Sequence, residues 1–211
     1  MALCPSCAPV QAARDHVLSG TFWSEAGTVV IPLVVVVASV VVLAVLARRW
    51  PLACAGLALG IGLGGFIDGI VLHQLLQWHG MVSSAVPTSE IVGAKVNMIW
   101  DGVFHLVIWL ACAAGVALLF RAARRADVAW SARVFSGAML AGWGAFNLAE
   151  GTLDHLILGL HHVHPGEDQL AWDVGFVLLG GVGLIAAGWL LARMRTARDD
   201  DHLGPVPSAA G

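Results

Sequence analysis

The chain has 211 residues, 58% of them apolar and 12% charged, with a formal net charge of −3 and a mean hydropathy of +0.82. A soluble domain carries about 25% charged residues, so disorder, a basic nucleic-acid-binding domain and most water-soluble enzymes are excluded. The charges stand in short stretches between long apolar runs, the pattern of an all-α integral membrane protein.

Residues 1–27 form a polar N-terminal segment with Cys4-Pro-Ser-Cys7. One such pair without a second is a weak metal signal, and a local disulfide or a terminal sequence without a role fits it as well. No basic stretch precedes the apolar run that begins near Thr28, so the segment does not read as a signal peptide. A bilayer-spanning helix needs about 20 mostly apolar residues, and five spans are predicted at 28–47, 53–79, 97–121, 133–160 and 170–193. The first has no ionisable residue and reads as a peripheral packing helix. Cys54 and Cys112 fall inside spans and are small packing residues. Residues 196–211 are polar and Pro-containing, a predicted disordered tail.

Arginines set the orientation. Arg48 and Arg49, then Arg121, Arg124, Arg125 and Arg133, then Arg193, Arg195 and Arg198 mark one side, while residues 80–94 and 161–169 hold no Lys or Arg. The positive-inside rule places the N-terminus and segment 1–27 outside and the C-terminal tail in the cytoplasm.

Spans two and four share a pattern. Asp68-Gly69, His73 and His79 recur as Glu150-Gly151, His155 and His161, each offset by 82. Trp100-Asp101 and Phe104 recur as Trp172-Asp173 and Phe176, offset by 72. The last four spans therefore read as a duplicated helical hairpin, the halves related by an axis along the membrane normal.

Asp68, Asp101, Glu150, Asp154 and Asp173 fall inside these spans, where no Lys or Arg can neutralise them. One such acid at a helix centre costs about 2.5–3.5 kcal/mol. Protons, histidines or bound metal are the available partners. At 1.5 Å per residue, Asp173, Asp101, His105, His73, His155 and Asp154 lie roughly 5–12 Å below the outer surface, and Asp68 and Glu150 near ~15–17 Å. The inner half of the same helices is almost purely apolar. His79, His161, His162 and His164 fall at the outer edge, an entrance rim. On a straight α-helix His73 and His155 sit about 140° from the acid five residues earlier.

Di-metal carboxylate bundles draw on a similar supply of Glu and His. The expected site is thus a metal centre of Asp68, His73, Asp101, His105, Glu150, Asp154, His155 and Asp173, dinuclear and taking Zn, Fe, Mn or Cu. A metal-free proton relay, a structural polar network, or haem on facing histidines are the alternatives. The chemistry stays open between a metalloenzyme, hydrolase or oxidoreductase, and a metal-handling protein that serves a metal donor or a respiratory metalloenzyme. No catalytic residue is assigned.

The strings GGFIDGIVLHQLLQWHG, WDGVFH, FNLAEGTLDHLILGLHHVH and WDVGF resemble an uncharacterised bacterial family of predicted polytopic membrane proteins, over about residues 55–195. The resemblance implies a helical protein of the bacterial cytoplasmic membrane, in contact with lipid, and carries no activity or cofactor with it. Membrane di-iron hydroxylases have His-x-x-His-His boxes that His161-His162-x-His164 does not match, and ceramidase-type zinc hydrolases have more spans.

Overall fold

A computed structural model describes residues 8–19 and 27–194. Cys4, Cys7 and the tail 196–211 lie outside the described residues. Helix α1, Ala8–Val17, is short and amphipathic. Its Ala13 is fully buried in an apolar cluster with Met81, Val82 and Val96. Helix α2, Val30–Leu46, follows a single 3₁₀ turn. Its Val34, Val37, Val41 and Val45 are exposed, as a lipid-facing stripe requires.

Pro51 opens α3, Pro51–Ile67, at a first-turn position where its missing N–H costs nothing. Helix α4 runs from Ile91 to Ala123. Ser131 caps α5, Ala132–Glu150, by accepting from the Val134 N–H at 3.3 Å. Helix α6 covers Gln169–Arg193. Among the described residues no strand occurs. Helix α5 packs along both α3 and α6, α4 packs along α3, and α2 lies against α3 and α4.

Among the described residues four helical stretches are long and apolar enough to cross a membrane: Gly27–Leu46, Pro51–Leu75, Ile91–Ala123 and Gln169–Arg193. The fifth expected span, α5, is more polar because it carries Arg133, Asn147 and Glu150.

Two helices widen at their ends. Helix α3 continues as a π-helix over Asp68–Leu75, and α5 does so over Gly151–Ile157. The Leu76 N–H reaches back to the Val71 carbonyl, and the Leu158 N–H to the Leu153 carbonyl, both at 2.8 Å. Next come Gln77 at φ 52° and Gly159 at φ 59°, left-handed residues that turn the chain back over the bundle. The loops they begin meet where the Ser84 N–H bonds the Leu160 carbonyl at 3.0 Å. At the opposite end Arg125 donates to the Arg48 carbonyl at 3.0 Å and Arg133 to the Met194 carbonyl at 2.6 Å. One end of the bundle is thus basic, and the other holds the acids and histidines.

Candidate metal centre

The π-turns decide how acid and imidazole meet. In an α-helix residues five apart point in different directions, but i→i+5 turns bring them nearly into register. His73 Nε2 lies 3.2 Å from Asp68 Oδ2, and His155 Nε2 lies 2.7 Å from Glu150 Oε1. The loops after Gln77 and Gly159 then fold two more imidazoles inward. His79 is 6% and His161 1% exposed. Eleven residues along a straight helix span about 16 Å, yet His161 Nε2 stands 3.0 Å from Glu150 Oε1.

Each of these four rings faces an acceptor with its Nδ1. His73 Nδ1 is 2.9 Å from Asp101 Oδ1. His155 Nδ1 is 3.4 Å from Asp173 Oδ1, too poorly aligned for a full hydrogen bond. His79 Nδ1 donates to the Val163 carbonyl at 2.9 Å, and His161 Nδ1 to the Met81 carbonyl at 3.3 Å. A carbonyl only accepts, so in neutral His79 the proton sits on Nδ1 and the lone pair on Nε2, whereas His161 faces an acceptor at each ring nitrogen.

Several inward atoms lack hydrogen bonds: Nε2 of His79, Oε2 of Glu150 and Oδ1 of Asp154 have none, and Nε2 of His73 and of His155 meet only the Asp68 and Glu150 carboxylates. Buried polar atoms are almost always paired, so a set of orphans in one place points to a ligand. Among the described residues two groups have metal-like spacing, His73–His79–His161 and Glu150–His155–His161, with donor atoms within 4.8 Å of one another. They share His161. Imidazole and carboxylate together suit Zn, Fe, Mn or Cu.

The expected site residues divide into three sets. Asp68, His73, Glu150, Asp154 and His155 lie in the interior, each at most 6% exposed. Asp101 and Asp173 stand behind the imidazoles: their Oδ1 atoms also accept from the Met81 and Val163 N–H groups, both at 2.9 Å. They hold the imidazoles and the loops together, the position that carboxylates take behind ligating histidines in metal sites. His105 stands apart, its Nδ1 2.8 Å from the Asp101 carbonyl and its ring over Gly69 and against Phe66.

Of the four expected rim histidines, His79 and His161 sit inside, because the chain reverses before reaching them. His162 is half-buried with its Nδ1 2.7 Å from Asp173 Oδ2. His164 stacks on Trp172 at 5.3 Å and meets the edge of Trp78 at 4.8 Å. The signal for His79 and His161 was their 82-residue offset, the same as that of the acids they approach.

Searches among curated proteins and among solved structures found no match. Residues 55–195 match a family described as a predicted membrane protein, DUF2243, and the chain belongs to that family.

Proposed function

We propose that this member of a family of predicted membrane proteins is a membrane metalloprotein. Its centre takes a dinuclear or single transition-metal site on His73, His79, His155 and His161 with Asp68, Glu150 and Asp154. Five spans carry it, with the N-terminus outside, the C-terminus in the cytoplasm and the centre in the outer half of the bilayer. The observation that carries this reading is the convergence of four imidazoles whose Nδ1 atoms all face outer acceptors.

Spans two to five are a duplicated hairpin. Contacts recur at the 82 and 72 offsets: Asp68–His73–Asp101 against Glu150–His155–Asp173. Others cross between the halves, since His79 bonds Val163 and His161 bonds Met81, as a pseudo-two-fold axis would require.

Metal-assisted hydrolysis or oxidation in the outer leaflet is the activity best supported, with a carboxylate as proton acceptor. Passing metal to another protein is the second reading, favoured by the half-exposed His162 beside Asp173. The stacking of His79 on His161, centroids 4.6 Å apart at 9°, argues against haem, since it fills the slot a porphyrin needs. Transport across the bilayer is disfavoured by the apolar inner half of the helices.

Elemental analysis of detergent-purified protein tests the reading. Wild type is expected to carry a transition metal, the double variant His79→Ala with His161→Ala to lose it, and His164→Ala to keep it. A metal-free wild type, or a double variant with full metal content, overturns the proposal and leaves a proton-sharing network.

A further inference from the structure

A cavity of about 400 Å³ lies between α3, α5 and α6, with the exposed Ile67 and Leu179 at its edge. Ligand sites usually hold about 300–1,000 Å³. Its wall includes Gly64, Ile67, Asp68, Val71, Trp143 and Phe176. The residues at the corresponding offsets, Phe146, Ala149, Glu150, Leu153, Ile61 and Phe104, line a second cavity on the other side of the centre. That one is only about 60 Å³, because Pro32, Leu33 and Val36 of α2 lie across it. The two halves thus build equivalent openings, and the helix outside the duplicated pattern covers one of them.

The open cavity has a specific chemistry. Trp78, Trp143, Trp172 and Phe176 provide flat aromatic walls. Ile67 and Leu179, 47% and 78% exposed, form a lip facing the hydrocarbon. Asp68 is the charged group in the wall; the residue is 4% exposed and its Oδ1 has no hydrogen-bond partner. Among the described residues no Lys or Arg lines the cavity, so an anionic head group would meet repulsion from Asp68. A hydroxyl would satisfy the orphaned oxygen, and the walls fit a ring better than a flexible chain.

We propose that this cavity binds a membrane-soluble phenol or hydroquinone, ring between the tryptophans, hydroxyl donating to Asp68 Oδ1 and alkyl tail leaving past Ile67 and Leu179. The metal-centre reading supplies the chemistry done on such a ligand, and on that reading this one rests for function; binding itself depends on the cavity alone. α2 closes the equivalent route to Glu150 and Asp154, so the ligand approaches the centre from the Asp68 side.

Binding of tritiated 4-decylphenol to the protein in lipid nanodiscs, corrected for empty discs, tests this. A Cβ on Gly175 meets nothing within 4 Å, and Gly175 lines the cavity, so Gly175→Phe starts from open space and puts its ring in the cavity. Gly102, equally open but on the lipid face of α4, gives the matched control Gly102→Phe. Saturable binding is expected in wild type and Gly102→Phe, about tenfold weaker binding in Asp68→Asn, and none in Gly175→Phe, whose metal content stays normal. Decylbenzene should not compete. Equal binding by Gly175→Phe, competition by decylbenzene, or no saturable binding to metal-loaded wild type overturns the proposal. Saturable binding to a wild type that carries no metal would sink the metal reading and leave this site standing.

Discussion

Asp101 Oδ1 takes two hydrogen bonds, from His73 Nδ1 and from the Met81 N–H, and so ties an imidazole to the loop that carries His79. Asp173 does the same for the other loop through Val163 and His162. On the proposed metal reading neither carboxylate needs to be a ligand to matter, since a misaimed imidazole is a poor ligand. Asp101→Asn is expected to weaken metal binding about 10- to 100-fold, as for other groups behind ligating histidines. Chelator-competition titration would read this directly, and unchanged affinity would remove Asp101 from the orienting role. His161→Ala should be far more damaging, because both candidate ligand groups contain that ring. His105→Ala should leave affinity close to wild type, since its Nδ1 is engaged by its own helix.

At the scale of elements, the site depends on how closely α3 and α5 approach. Gly60 lies against the Met139 carbonyl and Gly142 against the Leu57 carbonyl, and a Cβ at either would collide with backbone. Small residues at such crossings let membrane helices approach closely, with packing rather than the hydrophobic effect holding them together. Gly60→Leu should therefore destabilise the bundle by about 1–3 kcal/mol or more, whereas Gly102→Leu, with nothing within 4 Å, should not. Thermal aggregation midpoints in one detergent would compare the two, and equal midpoints would refute the close crossing. The π-turns matter at this scale too. They change the angular step just where Asp68 and Glu150 must meet the imidazoles five residues on.

For the whole molecule the governing feature is polarity along the bundle axis. Acids and histidines gather at one end, while Arg48, Arg121, Arg124, Arg125 and Arg133 lie at the other. Basic residues flank cytoplasmic ends, so Ser84 in the loop between α3 and α4 should be outside and Asp127 inside. Single cysteines at these positions, labelled in intact cells with a membrane-impermeant maleimide, should react at 84 and not at 127. Labelling of both or neither from one side would reject this orientation, and with it the placement of the centre in the outer leaflet.

Hydropathy, the arginine clusters and the uncompensated acids were enough to read a helical membrane protein with polar chemistry confined to one end. The matched offsets of Asp68 with Glu150 and of His73 with His155 were also legible, because they need only counting. What a linear reading could not reach was direction. Treated as straight α-helices, spans two and four put His73 and His155 about 140° from their acids. They also left His79 and His161 at an outer rim. The π-turns and the reversals at Gln77 and Gly159 altered both, placing four imidazoles together and moving Asp101 and Asp173 behind them. These departures depend on which backbone hydrogen bond, i→i+4 or i→i+5, is favoured once neighbouring helices are packed. That preference belongs to the tertiary contacts, and no local spacing of residues records it.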